Sequence, residues 1–108
     1  MARTEIPPGT LHLLILKTLQ SGPQHGYGIA QRIAQLSSEV LQVEEGSLYP
    51  ALQRMLLKGW IAGEWRVSKN NRRARYYRLT TAGKKQLSLE LEEFERTVTA
   101  IRQVIEPA

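Results

Sequence analysis

The sequence predicts a mainly α domain with one small β-hairpin, closed by a long C-terminal helix. Three observations predict it. Apolar residues recur at intervals of three and four through four separate stretches. Strong alternation is confined to the region between Trp60 and Thr80. From Leu87 the residues Leu87, Leu91, Phe94, Val98, Ile101 and Ile105 hold a heptad seam to the end of the chain. At 108 residues the chain makes one domain with a thin core, and association with a second copy would help it.

Taken in order, the chain opens with an extended lead-in at Pro7-Pro8. Thr10 is placed to cap a first helix, Leu11 to Gln20, whose apolar residues run almost all the way round. A helix of that kind is buried on more than one side. A second helix is expected from about His25 to Ser37, with Ile29, Ile33 and Leu36 inward. Gly26 and Gly28 flank Tyr27 in its first turn. Either a phosphate backbone approaches there, meeting free N–H groups and the Tyr27 hydroxyl, or a neighbouring helix packs tightly. His25 reads as a turn residue. A very short strand is expected at Val40 to Val43.

The stretch EEGSLYPALQRMLLKGW, Glu44 to Trp60, reads as the third helix. Leu48, Leu52, Met55 and Leu56 line one side. Ser47 is expected as its N-cap and Gly59 as its C-terminal stop, making Pro50 the third helical residue. The outer side then offers Tyr49, Pro50, Gln53 and Arg54, a face able to enter a DNA major groove. Alone, the same pattern fits an ordinary surface helix. Next come two strands, Trp60 to Val67 and Arg75 to Thr80, joined through Asn70-Asn71, where a left-handed turn is tolerated. The hairpin tip would carry Lys69, Arg72 and Arg73. Thr81 is expected to cap the last helix.

Composition narrows the function. Net charge is +5, and ten basic residues against one acid lie between Arg54 and Lys85. Such a basic middle suits a polyanion. Cysteine is absent, and two scattered histidines with no aspartate supply no convergent catalytic or metal set. No catalytic residue, no cofactor and no metal ligand is therefore expected; Glu90, Glu92, Glu93 and Glu95 read as a solvated helix flank. The N-terminus has no apolar targeting segment and no run long enough to span a bilayer, so a cytoplasmic protein is expected.

Helix, helix, recognition-type helix, basic hairpin and long helix make a winged helix-turn-helix over residues 1–80, with a dimerisation helix over 81–108 packed on the first helix as one unit. In GTLHLLILKTL, HGYGIAQRI, GSLYPALQRM, NNRRARYYRLT and TAGKKQL the chain resembles the PadR-like transcriptional regulators of bacteria. GSLYPAL followed by RRARYYRLT is the specific pairing. The resemblance implies a homodimeric repressor on double-stranded DNA with a pseudo-palindromic operator, relieved by a small aromatic effector. It assigns Tyr27, Ser47, Tyr49, Pro50, Gln53, Arg54, Arg72, Arg73 and Arg75 to DNA; the hairpin between the strands adds Lys69, where the family often has an acid, and Asn71. It also implies association through Leu11, Leu14 and Ile15 of the first helix and Leu87, Leu91, Phe94, Val98, Ile101 and Ile105 of the last. Relatives that hold flat drugs do so between tryptophans of the last helix; here that helix has only Phe94, which argues against a multidrug pocket. A winged helix that binds only protein, without sequence-specific DNA contact, is the alternative; the basic middle argues against it.

Overall fold

The computed structural model describes residues 4–7, 9–67 and 69–107. Six side chains, Ile15, Leu16, Ile29, Leu48, Leu52 and Met55, are completely enclosed. They mark where three helices meet: α1 (Leu11–Leu19), α2 (Gly26–Leu36) and α3 (Glu45–Leu57). Enclosing side chains of that size stabilises by about 1.5–3 kcal/mol each. Ile61 and Tyr77 of the sheet and Leu87 of the last helix close the core.

The sheet has three antiparallel strands in the order β1-β3-β2. These are β1 (Gln24–His25), β2 (Ile61–Val67) and β3 (Arg73–Leu79). The two-residue β1 escapes sequence reading, since two residues carry no periodicity. The expected strand near Val40 is only an isolated parallel bridge between Thr4 and Leu41. In the hairpin Ile61 faces Leu79, Gly63 faces Tyr77, Trp65 faces Arg75 and Val67 faces Arg73. The turn places Asn71 at φ 59°. Arg73, expected at the tip, is instead the first residue of β3, because the ladder extends two residues beyond the expected strand end.

Three caps differ from expectation. The N-cap of α3 is Glu44, with extended backbone, and its carbonyl accepts from Ser47 N and Leu48 N at 3.0 and 2.9 Å. Ser47 therefore lies inside the first turn, and Pro50 is the sixth helical residue. With no N–H, Pro50 cannot make the usual bond to the carbonyl of Gly46, a residue exposed to water. Thr10 starts α1 but its hydroxyl makes no cap bond. Thr80, not Thr81, caps the last helix, α4 (Thr81–Ile105): its hydroxyl accepts from Gly83 N at 3.0 Å. The same hydroxyl donates to the carbonyls of Gly59 (2.6 Å) and Trp60 (2.9 Å), which tie it one residue earlier than the pattern suggests.

Two helix ends close alike. At α3, Trp60 N donates to Met55 O and Gly59 N to Leu56 O, with Gly59 at φ 75°. At α2, Glu39 N donates to Ala34 O and Ser38 N to Gln35 O, but the left-handed residues are Ser38 (φ 53°) and Glu39 (φ 66°). Of the apolar seam on α4, only Leu87 is fully buried in the chain, and Leu91 packs partly on the core. Phe94, Ile101 and Ile105 are exposed. The arm makes the molecule long, 58 × 35 × 22 Å, with a radius of gyration of 15.4 Å. A compact chain of this length has about 13 Å.

Candidate nucleic-acid interface

The interface is built from α3 outward. Successive helical residues turn by about 100°. With Leu48, Ala51, Leu52 and Met55 buried, Tyr49 and Gln53 fall along one margin of the open face. Arg54 and Lys58 fall along the other, close enough to His12 of α1 for their charges to act on it. Pro50 and Leu57 lie between the margins, both exposed. The face thus has a phenol–amide edge and a cationic edge, rather than the single cluster expected from sequence.

Tyr49 leads to α2. A Cβ at Gly26 would sit 3.0 Å from the Tyr49 ring. One at Gly28 would collide with the side chain of Gln24. Both glycines are buried. Tight packing therefore accounts for them, although the neighbour of Gly26 is a recognition-type residue. The Gly28 N–H is taken: it donates to His25 Nδ1 at 2.9 Å, so His25 is the N-cap of α2 rather than a plain turn residue. The His25 ring stacks on Tyr27 at 6.4 Å and meets Tyr76 edge-on at 5.4 Å. One imidazole thus joins the start of α2 to β3. Tyr27 itself is 64% exposed.

The wing supplies the charge. Between it and the helices runs a cleft of about 490 Å³, lined by Tyr27, Tyr49, Arg72, Arg73, Arg75 and Tyr77 among others. Tyr77, at the floor, has its phenol pushed above the usual tyrosine range by burial, with Arg75 opposing. Arg66, on the opposite face, is neutralised locally by Glu64 at 2.5 Å and lies over Tyr76. Arg73 lies over Trp65 at 4.9 Å and Arg75 near Tyr77 at 5.9 Å. All eleven residues assigned to DNA from the sequence, Lys69 and Asn71 included, are exposed. The residues the sequence reading passed over are His25 and Trp65. The signal for Trp65 was an aromatic left on an alternating strand beside arginines.

The assigned dimer residues divide. Ile15 and Leu87 are buried within their own chain and are not free to meet a partner; the helical pattern alone does not separate core from interface. Leu11 and Leu14 are half-buried, as are Leu91 and Val98. Phe94, Ile101 and Ile105 are open. Among the described residues no helix is long and apolar enough to cross a membrane.

A helix pair whose second member carries an exposed polar face beside a cationic hairpin is a winged helix-turn-helix. Known proteins of this architecture narrow the class further. The family model for the transcriptional regulator PadR-like family matches residues 15–89, and the chain belongs to that family. An uncharacterised protein of Lysinibacillus sphaericus is 31% identical over 94 residues, spanning 87% of this chain and 86% of its own. A transcriptional regulator from Clostridium thermocellum superposes with a TM-score of 0.84 at 30% identity, covering 91% of this chain and 95% of its own. Bacillus subtilis PadR in complex with operator DNA superposes with a TM-score of 0.69 at 25% identity, covering 79% of this chain and 48% of its own.

Proposed function

We propose that this chain is a homodimeric repressor that reads a pseudo-palindromic operator in double-stranded DNA near its own gene and is released by a small aromatic effector. The observation that carries the DNA reading is the Tyr49–Gln53 edge of α3. Both side chains are exposed on a helix fixed from beneath by Leu48, Leu52 and Met55. Rigid placement is what base reading needs, and an amide can pair bidentately with adenine. The wing cations Arg72, Arg73 and Arg75 line the same cleft as Tyr49, and with the exposed Lys69 they suit a polyanionic backbone. That Bacillus subtilis PadR is found in complex with operator DNA supports DNA binding, though not the choice of residues. For the dimer, the support is the open stripe of Phe94, Ile101 and Ile105 on an arm that its own chain leaves uncovered. For the effector, it is a depression of about 210 Å³ where Phe94 and Thr97 face Leu13 and Thr10.

The test is Gln53→Ala on a footprinted fragment of its own promoter and on a scrambled fragment, each over a salt series. The expected loss is about 1–3 kcal/mol on the operator and little on the scrambled fragment. The salt slope should stay put, because no charge is removed. Equal losses on both fragments would show that α3 positions the protein without reading sequence.

A further inference from the structure

The wing carries several arginines, and the structure separates them. Arg66 has its charge matched by Glu64. Arg72 lies in the turn, before the ladder begins. Arg73 is held in the ladder, paired with Val67, and among the described residues it makes no ion pair. What holds its guanidinium is Trp65, diagonal to it across the hairpin, at 4.9 Å from centroid to Cζ. Both belong to the sheet face whose base is the buried pair Ile61 and Tyr77. Beyond the helical body that face leaves Trp65 59% and Val67 62% exposed. Arg73 lines the cleft towards Tyr27 and Tyr49, on the same side as the Gln53 edge.

An indole and a valine left in water on a projecting hairpin add nothing to the core. They do supply a flat apolar support under a planar cation. A guanidinium stacked this way sheds part of its hydration and most of its rotamer freedom before any ligand arrives. That is the preparation needed to enter a narrow, strongly negative minor groove, where arginine is the favoured side chain. Resting on the reading of this chain as a DNA binder, we propose that Trp65 is a positioning residue that presents Arg73, and not Arg72, to the minor groove beside the operator core. The Trp65–Arg73 pair then sets a preference for A·T-rich flanks.

Five variants, Trp65→Ala, Trp65→Phe, Arg72→Ala, Arg73→Ala and the double Trp65→Ala/Arg73→Ala, are titrated against two duplexes. Each duplex carries the footprinted operator core, one with A·T flanks and one with G·C flanks. Circular dichroism checks the fold, which an exposed Trp65 leaves intact. The wild type should prefer the A·T flanks. Trp65→Ala should lose about 3- to 10-fold on the A·T duplex, little on the G·C duplex, and keep its salt slope. Trp65→Phe should recover most of that loss. Arg73→Ala should erase the flank preference and lower the salt slope by about 0.9 per contact. The double variant should be no weaker than Arg73→Ala, because the two act as one unit. Equal losses for Trp65→Ala on both duplexes, additive effects in the double variant, or a flank preference abolished by Arg72→Ala but kept by Arg73→Ala would each overturn the proposal. A wild-type chain with no salt-dependent binding to either duplex would overturn the DNA reading itself, and this proposal with it.

Discussion

Replacing Gly83 by alanine tests how α4 is seated. Gly83 is the third residue of a long helix, where propensity alone predicts a gain of about 1 kcal/mol from alanine. The structure predicts the opposite sign. A Cβ there would fall deep inside contact with the Trp60 carbonyl oxygen, 3.0 Å from its carbonyl carbon and 2.8 Å from Leu79 Cδ1. The obstacle is backbone and cannot swing aside. That carbonyl also accepts from Thr80 N at 3.1 Å and from the Thr80 hydroxyl at 2.9 Å. Moving it costs about 1–3 kcal/mol in overpacking and weakens two hydrogen bonds of about 1 kcal/mol each. Set against the propensity gain, the net loss is up to about 4 kcal/mol, a large share of the about 5–15 kcal/mol a domain has. The assay is urea unfolding followed by circular dichroism at one fixed chain concentration, since association raises apparent stability. Gly46→Ala is the control: nothing lies within 4 Å of its Cβ position, and it should gain about 0.5–1 kcal/mol. A Gly83→Ala protein as stable as the parent would refute the seating described.

Three further outcomes are expected. Ile101 is 50% exposed in the single chain, so Ile101→Asp should cost a monomer little yet dissociate a dimer that buries it; sedimentation showing an intact folded dimer would place the interface elsewhere. Ser38 occupies a left-handed position at φ 53° after α2, and Ser38→Gly should stabilise by about 1 kcal/mol, read as a higher urea midpoint; a lower midpoint would contradict it. His12 is held below its ordinary 6.5 by burial first, then by Arg54 and Lys58, with Glu90 opposing. The unfolded chain therefore takes the proton first as pH falls past 6.5, so this contribution to stability is complete above that pH and declines towards the folded value. His12→Phe keeps a ring against Trp60 and should flatten the stability profile as pH falls below 6.5; parallel profiles would remove His12 as the cause.

Elements with a clear period were legible from sequence. The inward side of α3 and the pairing of the hairpin follow from residues three, four or two apart. What escaped depends on contacts distant along the chain. Gly26 is small because of the Tyr49 ring, and Gly28 because of the Gln24 side chain. Thr80 rather than Thr81 caps α4 because the carbonyls of Gly59 and Trp60 capture its hydroxyl. Ile15 and Leu87 share their spacing with residues at the surface, and only packing shows that the chain encloses them itself. Within the candidate interface, residue types were readable but not their grouping. Arg54 stands near His12, away from Tyr49, and Arg73 belongs to a strand that holds it on Trp65.

The arm that makes the molecule long is also a lever. Twenty-five helical residues in α4 give it a length of about 37 Å. Its root is the Thr80 hydroxyl, which also holds the base of the wing through Gly59 and Trp60. A swing of about 3° at that root moves the far end by about 2 Å at this length. The relation runs both ways: small sideways displacements at the tip become fine angular settings of the wing and of α3. In the proposed dimer, a grip at the tips would set the separation of the two α3 helices, and one helical turn of DNA is about 34–36 Å. Angular play at such a grip is multiplied along the arm, so a contact far from the DNA has to be stiff for the spacing on it to hold.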